Sequence, residues 1–139
     1  MYAFARCFAI AVAGLAVSII NRFFGGFDML LQTLLLLMAV DFISGIISAV
    51  VFKCSAKTDS GKLSSRAGLQ GFFKKCCCLM HITVAVHLDA LLGTNTLTRD
   101  AVIIAFCINE LISILENMGS MGISLPAPLL NALDVLAKK

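Results

Sequence analysis

The stretch that decides the fold is MLLQTLLLLMAVDFISGIISAVVF, residues 29–52, in which Asp41 is the only charged residue. As a helix of about 24 residues it is about 36 Å long, which is enough to cross the hydrocarbon core of a bilayer. A carboxylate at the centre of a membrane helix costs roughly 2.5–3.5 kcal/mol on insertion scales. The stretch therefore predicts a transmembrane helix in which Asp41 faces protein or water, and never lipid.

The whole chain has the composition of an integral membrane protein. Of its 139 residues, 60% are hydrophobic and 14% are charged, whereas a soluble domain is about half apolar and about a quarter charged. The apolar runs are too long for barrel strands, so we expect helical spans. We predict an all-α integral membrane protein, a single membrane domain over residues 1–139. It has three or four transmembrane helices and a short C-terminal amphipathic helix.

Hydropathy and turn residues divide the chain into segments. Residues 7–20 are apolar but short, and they fit a short or tilted span, an interfacial helix or the core of a cleaved signal peptide. The other segments are, in chain order, a span over 29–52, a basic loop over 53–75, spans over 76–92 and 100–118, and the amphipathic helix over 127–137. Thr98 or Asp100 is expected to cap the helix of the last span.

Basic residues predict the orientation of the spans. The loop over 53–75 carries six lysines and arginines against one acid, Asp59, and such loops lie on the cytoplasmic side. With four spans, nine basic residues lie inside and two outside. We therefore predict a multi-pass membrane protein, in contact with lipid and with its C-terminus in the cytoplasm. The net charge of +3 is too small to suggest a nucleic-acid partner.

Polar residues recur at helical spacing in two of the predicted spans, which places them on shared faces. The candidates for lining a pore or packing helices are Asp41, Ser44, Gly45, Ser48, Asn109, Glu110, Ser113 and Asn117. Asp41 and Glu110 lie at similar depth, and we expect no lysine or arginine of a span to pair with them. Two states are then affordable, either neutral acids in a dry bundle or ionised acids beside water. A purely structural hydrogen bond from a protonated Asp41 to a neighbouring helix is an alternative.

Two lysines precede the span over 76–92. Because Lys74 and Lys75 lie at its cytoplasmic start, we expect them to contact anionic headgroups. Simple positive-inside anchoring explains them equally well.

The sequence contains no motif typical of catalysis, a cofactor or a metal. It has no glycine-rich phosphate loop, no HExxH and no nucleophile elbow. Cys76, Cys77 and Cys78 are consecutive, so on a helix they point in directions about 100° apart and cannot converge on one ion. We expect no enzyme activity, no cofactor and no metal site.

Several stretches of the chain match one family of membrane proteins in order and spacing. They are VDFISGIISAV (40–50), KLSSRAGLQGFFKK (62–75), LDALLG (88–93) and NELISILENMGSMGISLP (109–126), followed by an amphipathic tail with a basic end. Over residues 25–139 the chain resembles the toxin-secretion and phage-lysis holins. The first of these motifs is weak alone, but the combination is fairly specific, and the cysteine triplet is outside the family pattern.

The resemblance implies a homo-oligomer in the cytoplasmic membrane of a bacterium. Such a protein opens lesions through which an endolysin or a toxin crosses, and the host then lyses. Two other functions fit the same residues. A small proton-coupled channel or transporter would use Asp41, Glu110 and His81 as its relay. An anti-holin would bind a holin and block it, with the segment 7–20 entering the bilayer late.

Overall fold

The structure, a computed structural model, describes residues 2–53 and 64–128 and, beyond them, residues 131 and 135. The described residues form four α-helices: α1 (Tyr2–Phe24), α2 (Met29–Ile47), α3 (Ser65–Leu92) and α4 (Leu97–Ser120). A π-helical segment, Ser48–Phe52, continues α2. All four helices are long and apolar enough to cross a membrane. This confirms the predicted all-α membrane fold at the upper end of the predicted number of spans.

Two helices are longer than the sequence suggested. The helix α1 has 23 residues and exceeds the predicted segment 7–20 at both ends. The helix α3 begins at Ser65, so the predicted loop over 53–75 is too long and the predicted span over 76–92 too short. Leu69 and Phe72 already have helical spacing, which the charges around them obscure. The amphipathic helix predicted over 127–137 lies mostly outside the described residues.

The turn between α3 and α4 is capped by a side chain of the preceding helix. Gly93 ends α3 in the left-handed conformation with φ 68°, which glycine adopts without steric cost. Asp89 then accepts hydrogen bonds from the backbone amides of Thr98 and Arg99 at 2.9 and 2.8 Å. The expected cap by Thr98 or Asp100 is therefore wrong. The acceptor comes from α3, because the tight turn brings its last turn beside the start of α4.

The core lies between α2, α3 and α4. Its buried apolar side chains are Leu31, Leu34, Met38, Ile82 and Ile103. The helix α1 contacts α3, but no residue in its most apolar stretch is buried. The helices α2 to α4 thus form the packed unit that positions the polar side chains described next.

Candidate functional site: a charged cluster inside the bundle

A lysine of α3 joins the acids of α2 and α4. The Nζ of Lys75 donates hydrogen bonds to Oδ2 of Asp41 at 2.9 Å and to Oε2 of Glu110. Both acids are buried, with 5% of Asp41 and 9% of Glu110 exposed. We call these three residues the acid–lysine cluster. With all three ionised it carries one negative charge in excess.

The expectation that no lysine or arginine pairs with the two acids is wrong. Because α3 begins at Ser65, Lys75 belongs to a helix packed against α2 and α4 and not to a loop. Ion pairing inside the bundle thus adds a third state to the dry neutral and wet ionised ones. The ammonium group of Lys75 lies on the carboxylates, whereas Lys74 is exposed and its headgroup contact stays a prediction.

An asparagine of α4 completes the polar contact with α2. The Nδ2 of Asn117 donates to Oδ1 of Asp41 at 3.1 Å and to Oγ of Ser44 at 2.9 Å. One turn further along, the hydroxyl oxygens of Ser48 and Ser120 lie 3.0 Å apart. The polar face that the sequence placed on this helix is therefore the α2 surface that meets α4.

The remaining predicted site residues lie at the edge of this contact. Gly45 is half-buried, as is Ser113, while Asn109 is exposed. Asn109 and Ser113 border a cavity of about 400 Å³, which the three residues of the acid–lysine cluster also border. A cavity of this size, bordered by several polar side chains, has room for several water molecules. The site therefore combines buried charges with a cavity beside them that can hold water.

A second polar centre, which the sequence analysis missed, lies at the other end of α2. Arg99 is 1% exposed, and its guanidinium donates to both carboxylate oxygens of Asp28 at 2.7 and 3.0 Å. Its Nε donates to the carbonyl of Phe24 at 2.6 Å. The hydrogen bond from Arg99 holds the pKa of Asp28 below its ordinary value. Arg99 thereby joins the end of α1 and the start of α2 to α4.

The sequence held a signal for this centre. Asp28 directly precedes an apolar run, as helix-capping residues do, and its Oδ1 accepts a hydrogen bond from the amide of Leu31. Arg99 was counted only as an orientation charge. Its burial depends on contacts between segments far apart in the chain, which periodicity does not reveal.

The histidine of the hypothetical proton relay has other contacts. Nδ1 of His81 lies 2.7 Å from the backbone carbonyl oxygen of Cys77. Its ring meets Phe106 edge-on, with the two ring centroids 6.1 Å apart. These contacts with its own helix and with an aromatic ring do not favour a relay through His81.

Comparison with known proteins identifies the family. The sequence profile of the bacteriophage holin family matches residues 18–138. An uncharacterized protein of Listeria monocytogenes is 37% identical over 122 residues, which are 88% of this chain and 81% of the relative. An uncharacterized 14.9 kDa protein of Clostridium perfringens is 38% identical over 117 residues, or 84% and 83% of the two chains. No solved structure matches the chain.

One relative carries a functional name. A protein of Bacillus phage phi105, named a probable holin, is 29% identical over 106 residues, which cover 76% of this chain and 73% of the phage protein. The family match includes α2 to α4, the acid–lysine cluster and Arg99. The chain therefore belongs to the bacteriophage holin family.

Proposed function

We propose that this protein oligomerises in the bacterial cytoplasmic membrane and permeabilises it, so that an endolysin or a toxin crosses and the host lyses. Its family and its four apolar helices support a holin-like, multi-pass membrane protein. The observation that carries the finer proposal is the acid–lysine cluster, which places charged groups at the contact of three apolar helices.

Such a cluster adds little to the stability of the packed subunit relative to a hydrated arrangement. A buried ion pair contributes little net stability, because the loss of hydration offsets much of the attraction between the charges. Water in an oligomer can solvate the same groups. The ion pairs therefore add little to the free-energy difference between the packed and the hydrated arrangements. A change in membrane energisation can then shift the balance between the two arrangements.

The proposed function is tested by inducing the chain in a bacterium, with and without a soluble endolysin in the cytoplasm. We expect abrupt loss of viability in both cultures, lysis only with the endolysin, and an earlier onset after an energy poison. Graded solute flux without cell death would instead indicate a channel or transporter. A chain that is harmless alone but delays lysis by another holin would be an anti-holin. Either outcome overturns the proposal.

The role of the cluster is tested by timing. Asp41→Asn combined with Glu110→Gln removes both carboxylate charges but keeps the side-chain shapes, so we expect normal membrane insertion and an altered time of lysis. Thr33→Val is the matched control, an isosteric change at an exposed position of α2. Unchanged timing at equal membrane levels would contradict a role of the cluster in triggering.

A further inference from the structure

We propose that a groove on the outside of the subunit, between α3 and α4, faces water in the membrane-embedded assembly and lines the aqueous path of the lesion. The α3–α4 groove is formed by Gln70 and Lys74 of α3 and by Asn109 and Ser113 of α4. Its role in the lesion rests on the proposed function; its contact with water does not.

The α3 side of the groove is a polar stripe. Gln70, Lys74, Cys77 and His81 recur at helical spacing, and all four are exposed. They lie beside the buried face of α3, which carries Ile82. The stripe therefore borders the helix contact without taking part in its apolar core.

The α4 side is a second polar face of that helix. Asn109, Ser113 and Glu116 follow i, i+4 and i+7, with the first and last exposed. Glu110 and Asn117, by contrast, point inward, where they contact Lys75 and Asp41. One polar face of α4 therefore packs inside the subunit, and a different polar face lies on its outside.

The two sides enclose the cavity described above. Gln70 and Lys74 border it from α3, Asn109 borders it from α4, and the acid–lysine cluster forms its floor. Gly71 leaves it open, since even an added Cβ there would meet no atom within 4 Å. Further along α3 the edge contact of His81 with Phe106 joins the two helices. The open cavity therefore lies beside residues 67–78 of α3, before the contact of His81 with Phe106.

Lipid is an unfavourable neighbour for this surface. Asn109 lies about 18 Å along α4 from its first residue, close to the middle of the helix, and hydrocarbon cannot replace the hydrogen bonds that water gives to amides and charges. The opposite side of α4 is different, because Leu97, Ile104 and Leu111 form an exposed apolar stripe. One side of α4 is suited to lipid and the other to water.

The residues that the sequence predicted to line a pore or pack helices fall into two groups in the structure. Asp41, Ser44 and Asn117 are joined to one another inside the subunit, so they are not its outer wall. Asn109, Ser113, Gln70 and Lys74 border the groove, and the exposed Glu116 continues the same face of α4. The water-facing wall is therefore built by α3 and α4.

Thiol labelling tests the inference. In a full-length chain with all six cysteines replaced by alanine, Asn109→Cys and Leu111→Cys place single thiols on opposite sides of α4. After induction the cells are treated with a charged maleimide. We expect Asn109→Cys to react at least tenfold faster than Leu111→Cys. Equal rates, which a lipid-covered or dry protein-covered groove would give, overturn the inference.

A second comparison uses the chain with its native cysteines. Asn109→Asp adds a charge in the groove and Leu111→Asp adds one to the apolar stripe. We expect the first variant to reach the parent's membrane level and the second to fall several-fold below it. Equal levels overturn the inference. If cells survive the parent chain but Asn109→Cys still reacts faster, the proposed lesion fails and the groove remains a water-facing surface. If the parent chain kills the cells but the two thiols react at equal rates, the proposed lesion stands and the water-facing groove is refuted.

Discussion

Lys75→Met removes the ammonium group from the acid–lysine cluster while keeping most of the length of the side chain. Asp41 and Glu110 then face each other in the bundle without a cation. Removing one partner of a buried ion pair costs about 3–5 kcal/mol. We expect the lower end, about 3 kcal/mol, because 17% of the Lys75 side chain is exposed and water in the adjoining cavity screens the acids.

Equilibrium unfolding of the purified protein in detergent, followed by circular dichroism, measures this loss. A change of about 3 kcal/mol raises the unfolding equilibrium constant roughly a hundredfold. The neighbouring Lys74→Met is the matched control, because Lys74 is exposed and surface substitutions usually stay within about 0.5 kcal/mol.

Neutralising the acids should rescue the variant. Adding Asp41→Asn and Glu110→Gln to Lys75→Met leaves no buried charge in the cluster, so we expect stability within about 1 kcal/mol of the parent. Two results would refute the reasoning. One is equal stability of Lys75→Met and Lys74→Met, and the other is a neutralised variant no more stable than Lys75→Met alone.

The helix junctions give three more expected outcomes. The hydrogen bond from Arg99 lowers the pKa of Asp28 below 3.8, so its stabilising effect is full above that pH and is lost on acidification through the lower folded-state pKa. Unfolding midpoints of the parent and of Asp28→Asn should therefore converge below about pH 4, and parallel curves would contradict this. Gly25→Ala places a Cβ 3.1 Å from Cδ of Arg99 at φ +71°. We expect this variant to lose about 1–2 kcal/mol of the free energy of unfolding. Gly14→Ala, at an open helical site, is the control and should show no such loss. Asp89→Ala removes the cap of α4 and should cost about 1–2 kcal/mol, seen as faster amide exchange in the first turn of α4; unchanged exchange would rule out the cap.

The apolar runs were sufficient to predict the fold class and the spans of α2 and α4. A run of about 20 apolar residues crosses a bilayer as a helix, because a helix satisfies all backbone hydrogen bonds within the segment. The start of α3 was not predictable in this way, because Arg66, Lys74 and Lys75 lower the hydropathy of its first turns. Only packing against α2 and α4 shows that these turns are helical and that one of the lysines points inward.

The sequence predicted which helix face carries the polar residues of the candidate site, but not which residues of the other helices they contact. Helical spacing correctly grouped Asp41 with Ser44 on one side of α2, since spacing along one helix fixes direction. It gave no information on which residue of α3 or α4 meets that side. The contacts of Lys75 with Asp41 and of Arg99 with Asp28 join residues more than 30 positions apart, and such contacts depend on how the helices are placed against one another.

The helix α1 is attached to the other three mainly at one end. None of its most apolar stretch is buried, its last residue, Phe24, gives its carbonyl to Arg99, and the family match begins only at residue 18. Changes along α1 therefore disturb little of the core and little of the acid–lysine cluster. This arrangement makes α1 a peripheral helix. Its length or charge can be changed by mutation while the contacts among α2, α3 and α4 stay in place.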